Sequence, residues 1–213
     1  MKLYYYDHCP FCVRVRLAAG LLGQPLEEIP LANDDEDTPI KLVGKKVLPI
    51  LIREDGSPLA ESLDIVAYLD RDGHFGGAVR PELAEWLQAV NGLVHKLAMP
   101  RNIMVPLPEF ASDSAKNYYR EKKEAFLGER FSDLLAQTPK FLAELDSPLR
   151  TLTELLGEPY AAGAVPGIED IYLFPVLRNL TIVKGLPWPE PLRQYLENLT
   201  AKSGVATYFG RSV

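Results

Sequence analysis

Cysteine and histidine are both scarce in this chain of 213 residues, which has two Cys and three His. The histidines, His8, His74 and His95, are scattered, and no second cysteine pair exists. A structural zinc site normally needs four Cys or His ligands at short spacing. The sequence therefore predicts no metal site.

Long apolar runs are also missing, since no stretch approaches the roughly 20 residues that a membrane-spanning helix needs. The N-terminus lacks the apolar core behind a basic start that marks a secretory signal. The net charge of −6 does not favour binding to nucleic acid or to an anionic membrane. Two cysteines without an export signal indicate a cytoplasmic protein.

Both cysteines belong to one motif, Cys9-Pro10-Phe11-Cys12. The motif lies between a strand predicted at residues 2–6 and an apolar helical pattern that follows. Pro10 suits the first helical position, which places Cys9 at or beside the N-cap. Unpaired N–H groups and the positive end of the helix dipole favour a thiolate at Cys9. We expect Cys9 to be the exposed nucleophile and Cys12, one turn inside, the buried resolving thiol. Half of a zinc site, a structural disulfide or chance are the alternatives, and the strand–CxxC–helix context favours redox chemistry.

The first 73 residues predict the order β-α-β-α-β-β-α. Strands are expected at residues 26–31, 50–52 and 58–60, with Pro49 at a strand start because proline cannot donate to a sheet ladder. A short helix is expected at residues 40–43 behind a Thr38-Pro39 cap. Ser62 is a natural N-cap for the next helix, which Gly73 ends. A parallel pair with a right-handed crossover follows from the first strand, helix and strand.

These motifs together resemble a glutaredoxin: Cys-Pro-aromatic-Cys after the first strand, a hydrophobic residue and Pro49 before the third, and Glu61-Ser62 opening the third helix. Phe11 departs from the tyrosine that is commonest in the family. The resemblance implies glutathione binding by Cys9, Pro10, Phe11, Leu48, Pro49, Glu61 and Ser62, with Glu61 and Ser62 at the γ-glutamyl end and a cis Leu48–Pro49 peptide. Lys45 and Lys46 are candidates for the glycyl carboxylate, or are simply solvated loop lysines.

The second half of the chain reads as helical after a linker at residues 74–82. Helices are predicted at residues 83–97 (closed by Pro100), 112–137, 141–156 (kinked or split at Pro148), 169–182 (bent at Pro175) and 191–201, with a loop at residues 160–167. We expect two domains, an α/β thioredoxin-like N-terminal domain at residues 1–73 and an all-α C-terminal domain at residues 83–213. This layout resembles the glutathione transferases, and with the CxxC it resembles the two-domain bacterial glutaredoxin 2 family. Gly167 stands where the transferases typically carry Ser or Thr before a central helix, while Asp170 matches their Asp.

The resemblance implies a glutathione-dependent thiol–disulfide oxidoreductase, with glutathione as co-substrate and glutathionylated or disulfide-containing proteins as partners. Two other hypotheses remain. A glutathione transferase needs one thiolate and no resolving cysteine, so Cys12 and an assay with a chlorinated aromatic acceptor discriminate it. A non-catalytic glutathione-binding protein or iron–sulfur carrier would be told apart by colour and visible absorbance. No exposed apolar patch stands out, and we expect a monomer.

Overall fold

The computed structural model describes residues 1–157 and 165–213. The N-terminal part holds a four-stranded sheet in the order β2-β1-β3-β4. Its strands are β1 (Lys2–Tyr5), β2 (Glu27–Pro30), β3 (Ile50–Ile52) and β4 (Pro58–Ala60). β1 runs parallel to β2 and antiparallel to β3, and β3 pairs antiparallel with β4. The predicted order of strands and helices, including the parallel pair, is confirmed.

Three helices complete this part: α1 (Pro10–Leu21), α2 (Asp37–Val43) and α3 (Ser62–Leu69). Two predicted helix starts are wrong. Thr38 lies inside α2, since Asp35 accepts hydrogen bonds from both its N–H and its hydroxyl and so fixes the preceding turn. Ser62 is the first residue of α3 and Glu61 occupies the N-cap, with a φ of 69°.

Six further α-helices are described beyond residue 80. They are α4 (Pro81–Asn102), α5 (Asp113–Leu127), α6 (Phe131–Ala136), α7 (Thr138–Leu156), α8 (Ile168–Leu180) and α9 (Glu190–Ser203). Short 3₁₀ turns follow α4 at Pro108–Phe110 and α9 at Phe209–Arg211. α8 is buried on most sides, as a central helix should be. The loop predicted at residues 160–167 lies mostly outside the described residues.

In the helical half, three predictions of where a helix ends or is interrupted are wrong, two at prolines and one at a glycine. Pro100 does not close α4, because the helix runs on through the buried residues Arg101 and Asn102. α7 continues through Pro148 as one helix, with Leu145 and Leu149 fully buried on either side. The helix predicted at residues 112–137 is instead two helices, because Gly128 adopts a left-handed conformation that ends α5.

One buried apolar cluster runs through both halves of the molecule. α1 carries the junction, since it packs against α3 on one side and against α8 and α9 on the other. A second link joins the chain before α4 to α8, where Arg80 donates three hydrogen bonds from its side chain to the carboxylate of Glu169. The N-terminal end of α1 therefore lies where the two halves meet.

Candidate active site

The two cysteines lie at the start of α1 as the sequence predicts. Cys9 is the N-cap, in extended conformation, and Pro10 is the first helical residue. Both thiols are free; Cys9 is partly exposed and Cys12 is fully buried. The backbone N–H of Tyr6 donates to Cys12 Sγ at 3.5 Å, which ties the inner thiol to the end of β1.

The surroundings separate the acidities of the two thiols. A hydrogen bond from the Cys12 thiol lowers the pKa of Cys9 to about 6, with help from the charge of His8 and from the N–H groups of Cys12 and Phe11, against the opposing effect of burial. Burial raises the pKa of Cys12 well above its usual value, and the hydrogen bond and charge of Cys9 raise it further. This order agrees with the prediction, but its largest cause is the neighbouring thiol rather than the helix end.

His8, next to Cys9 in the chain, is held by a carboxylate from the helical half. Its Nδ1 lies 2.6 Å from Glu109 Oε1, and its backbone N–H donates to the same oxygen at 2.9 Å. Although burial alone would raise the pKa of Glu109, these hydrogen bonds and the charge of His8 lower it. Glu109 therefore stays ionised while fully buried, and it fixes the imidazole beside Cys9.

Three aromatic rings also contact the His8 imidazole. The imidazole stacks between Tyr6 and Phe110, with ring centroids 5.6 and 5.0 Å away, and Tyr119 meets it edge-on at 5.0 Å. Asn179 of α8 donates to the His8 carbonyl at 3.1 Å. The residue before the nucleophile is thus fixed from both halves of the molecule.

The loop before Cys9 has a second anchor in a buried ion pair. Arg178 of α8 donates to the Asp7 carboxylate at 2.9 Å and to the Asp7 carbonyl at 2.7 Å. The Tyr208 hydroxyl and Arg16 donate to the same carboxylate, at 2.6 and 2.8 Å. Burial alone would raise the pKa of Asp7, but Arg178, Tyr208 and Arg16 together hold it well below its usual range. Asp7 is therefore charged and fixes the end of β1 to α8.

A cavity of about 580 Å³ opens between the two halves at Cys9. Of the predicted site residues it is lined by Cys9, Pro10, Phe11 and Leu48. The other four predicted residues, Cys12, Pro49, Glu61 and Ser62, do not line it. The helical half supplies the opposite wall from α4, α5 and α8.

The Leu48–Pro49 peptide bond is cis, which confirms that prediction. Glu61 is the only non-glycine among the described residues with a positive φ, and its carboxylate lies 3.0 Å from the ammonium of Lys45. Ser62 is buried at the start of α3, where backbone N–H groups have no helical partner.

Arg14 connects Ser62 to the cavity. Its Nη1 lies 3.5 Å from Ser62 Oγ, and its guanidinium lies over the rings of Phe11 and Tyr172, at 5.0 and 4.5 Å from their centroids. Arg14 lines the cavity, and its buried Nε has no hydrogen-bond partner among the described residues. This cation was not predicted from the sequence.

The two candidate lysines separate in the structure. Lys46 lines the cavity, donates to the Asn33 carbonyl at 2.7 Å and lies over the Tyr118 ring at 3.8 Å. Lys45 pairs with Glu61 and does not line the cavity.

Metal and membrane features were searched over residues 1–157 and 165–213. Within these ranges no group of three or more His, Cys, Asp or Glu side chains is arranged to hold a metal ion. No helix of the same residues combines the length and apolar content needed to cross a membrane.

Sequence comparison assigns the family. A profile described as the C-terminal domain of glutaredoxin 2 matches residues 82–211, and one for the N-terminal domain of glutathione S-transferase matches residues 3–73. Glutaredoxin 2 of Escherichia coli strain K12 is 41% identical over 208 residues, which span 96% of this chain and 96% of the relative. The chain belongs to the glutaredoxin 2 family.

Structural comparison agrees with membership of the glutaredoxin 2 family. A crystal structure of glutaredoxin 2 from Salmonella typhimurium, in complex with glutathione, superposes with a TM-score of 0.94 at 39% identity and covers 100% of this chain and 98% of that one. A glutathione transferase from Phanerochaete chrysosporium shares the fold alone, with a TM-score of 0.62 at 13% identity over 95% of this chain and 97% of its own. The predicted fold class, a thioredoxin-like domain followed by a helical domain, is confirmed.

Proposed function

We infer that this member of the glutaredoxin 2 family is a glutathione-dependent thiol–disulfide oxidoreductase, in which Cys9 attacks, Cys12 resolves and glutathione is the co-substrate. The observation that carries the assignment of Cys9 is its lowered pKa, about 6, at the mouth of a cavity between two domains. A thiol with this pKa is mostly thiolate near neutral pH, and the thiolate is the nucleophile in disulfide exchange.

The monothiol route uses Cys9 alone. The Cys9 thiolate attacks the glutathione sulfur of a protein–glutathione mixed disulfide, the S–S bond breaks, and the protein thiolate leaves and takes up a proton. Cys9 is then glutathionylated. The thiolate of a second glutathione attacks the glutathionyl sulfur, which releases oxidised glutathione and restores the Cys9 thiolate.

The dithiol route adds Cys12. The Cys9 thiolate attacks one sulfur of a protein disulfide, the S–S bond breaks, and the other sulfur leaves as the first protein thiolate. Two of the effects that raise the pKa of Cys12 are the hydrogen bond and the charge of Cys9, and both disappear when Cys9 is bonded. Cys12 then loses its proton more easily, attacks the Cys9 sulfur and expels the second protein thiolate. Two glutathione molecules reduce the resulting Cys9–Cys12 disulfide.

Glutathione is proposed to bind along the N-terminal side of the cavity and to extend beyond the lining residues to Pro49, Glu61 and Ser62. Leu48 and Pro49 would contact its cysteinyl part across from Cys9, with Pro10 and Phe11 beside the thiol. Ser62, at a helix N-terminus, would bind the γ-glutamyl carboxylate, and Glu61 its ammonium. The Arg14–Ser62 contact supports this placement, because it brings a cation to the same point. For the glycyl carboxylate we propose Lys46, since it lines the cavity.

Three further assignments remain part of the proposal. We take residues 1–73 and 83–213 as the two domains, with residues 74–82 as the linker. The protein is expected to work as a monomer on glutathionylated or disulfide-containing proteins. Only two cysteines, both in one redox motif, suit a reducing compartment, which favours the cytoplasm.

Reduction of a glutathionylated peptide, coupled to glutathione reductase, tests this function. Wild-type protein and Cys12→Ser should both be active, whereas Cys9→Ser should be inactive because it lacks the nucleophile. Reduction of a protein disulfide should need both cysteines. Mixed-disulfide activity in Cys9→Ser, or equal loss in both single variants, would show that the roles are assigned wrongly.

A further inference from the structure

The cavity beside Cys9 is cationic although the whole protein is acidic. Among the residues that the structure describes, four permanently charged side chains line it, and all four are positive: Arg14, Lys46, Lys122 and Lys123. None of the described residues that line the cavity is Asp or Glu. The chain as a whole has a net charge of −6. The cavity therefore concentrates positive potential in one place and attracts an anionic ligand.

These four cations differ in the contacts that they already make within the protein. The Arg14 guanidinium contacts two aromatic rings and lies beside Ser62. The Lys46 ammonium donates a hydrogen bond to the Asn33 carbonyl and lies 3.8 Å from the Glu36 carboxylate. Lys122 and Lys123, in contrast, form no ion pair with any residue in the described part of the chain. A hydrogen bond from Tyr118 and the charges of Lys46 and Lys122 lower the pKa of Glu36, but the ammonium groups of Lys122 and Lys123 can still bind a ligand.

Lys122 and Lys123 both belong to α5, which forms part of the wall that the helical half contributes to the cavity. Lys122 lies 5.5 Å from the centroid of the Tyr118 ring, and Lys123 lies 5.8 Å from the centroids of Tyr119 and Phe126. Phe126 also lines the cavity, yet 63% of its surface is exposed. The wall therefore reaches from the cavity to the outer surface, where a chain too large to enter the cavity can still touch it.

We propose that Lys122, Lys123 and Phe126 form a subsite for an acidic polypeptide segment, the part of a protein substrate that flanks its glutathionylated cysteine. The proposal rests on the proposed function and adds a substrate class to it. Glutathione is placed on residues of the N-terminal domain, so the polypeptide bonded to it must lie along the remaining wall. Asp or Glu near the modified cysteine would pair with the two ammonium groups, and an apolar neighbour would cover Phe126.

Electrostatic attraction of this kind acts on encounter and binding, so it should appear in kcat/KM and weaken with salt. Three glutathionylated peptides that differ only in their flanking residues, acidic, neutral or basic, provide the substrates. Wild-type protein should prefer the acidic peptide over the neutral one by on the order of tenfold at low ionic strength. The preference should shrink as salt is added.

The double variant Lys122→Glu/Lys123→Glu tests the site. Its ratio of kcat/KM for acidic over neutral peptide should fall below one, because the wall then repels the acidic segment. The control is Lys41→Glu/Lys184→Glu, which makes the same charge change at exposed lysines that do not line the cavity. The control should keep the wild-type ratio.

Each other outcome overturns the proposal. The proposal would be wrong if the wild-type protein had equal kcat/KM for all three peptides, or if the double variant kept the preference for the acidic peptide. Either result would mean that α5 does not interact with the charge of the peptide. An unchanged ratio together with a raised KM for glutathione would assign the two lysines to glutathione instead. Failure to reduce any of the peptides would refute the proposed function itself, which is a different result.

Discussion

At the scale of single residues, reactivity depends on a hydrogen bond between two thiols that lie one helical turn apart. The Cys12 thiol donates to Cys9, and this contact is the largest cause of the lowered pKa of Cys9. Hydrogen bonds to charged groups contribute about 1.5–3 kcal/mol. Cys12 therefore has two proposed roles, as resolving thiol and as donor to the Cys9 thiolate.

Replacement of Cys12 by Ala or by Ser separates these two roles. Cys12→Ala removes the donor and should raise the pKa of Cys9 from about 6 by about 1 to 2 pH units. Cys12→Ser keeps a hydroxyl donor and should leave the pKa closer to the wild-type value. The rate of Cys9 alkylation against pH measures both, since thiolate alone reacts and the rate rises to a plateau above the pKa. Identical profiles for the wild type and Cys12→Ala would refute this explanation of the low pKa.

The positions of the two cysteines were predictable from adjacent residues. The residues that surround them were not, because they lie far away in the sequence. Cys9 at the N-cap and Pro10 at the first helical position follow from a few adjacent residues. Glu109 is separated from His8 by 101 residues, so no local pattern in the sequence indicated that the two side chains meet. His8 could have been singled out by its position next to the nucleophile, but it was considered only as a metal ligand.

At the scale of elements, α1 links the two halves through a very close approach. A Cβ on Gly20 would lie 2.0 Å from the backbone oxygen of Ser203, the last residue of α9. Glycine is required here by the neighbouring backbone rather than by φ. The junction between α1 and α9 therefore depends on the absence of a side chain at this position.

Gly20→Ala should destabilise the protein by about 1–3 kcal/mol, because overpacking forces the two helices apart. Gly92→Ala is a matched control inside α4, where a new Cβ meets nothing within 4 Å among the described residues outside its own helix backbone. That variant should be neutral or more stable by up to about 1 kcal/mol, since alanine favours helices. Urea unfolding compares them, and equal stability of the two variants would contradict the assigned close packing.

The strands followed local rules, but several helix boundaries did not. The order of the strands along the chain was predictable because each strand is bounded by its own turn residues. Pro100 and Pro148 were expected to interrupt helices, yet buried faces that continue past them keep α4 and α7 intact. Gly128 was overlooked inside an apparently continuous polar helix, where its left-handed conformation ends α5.

At the scale of the whole molecule, the site depends on contacts between segments far apart in sequence. Asp7 and Arg178 are separated by 171 residues and form a buried ion pair that also includes Tyr208. The cavity likewise has walls from both halves, so neither half encloses it alone. A two-domain layout was predictable from the change in hydrophobic pattern, whereas the buried contacts between the halves were not.

Asp7→Asn should destabilise the protein by about 3–5 kcal/mol near neutral pH, because it leaves the buried Arg178 charge without its partner. The folded-state pKa of Asp7 is lowered, so its contribution is complete above the unfolded-state pKa of about 3.9 and is lost as pH falls below it. The difference in unfolding free energy between wild type and variant should therefore be constant above about pH 5 and shrink below about pH 4. Asp72→Asn, at an exposed position, serves as the control. A difference that grows on acidification would contradict the ion-pair account.

The central claim, that Cys9 is the group that accepts glutathione, is tested most directly by trapping the adduct. Reduced Cys12→Ser protein is mixed with a glutathionylated peptide without free glutathione, and intact and digested protein are analysed by mass spectrometry. The account predicts one glutathione per chain, bonded to Cys9, and an equal amount of released peptide thiol. Peptide rather than glutathione on Cys9, or a chain that stays unmodified while the peptide remains glutathionylated, would contradict it.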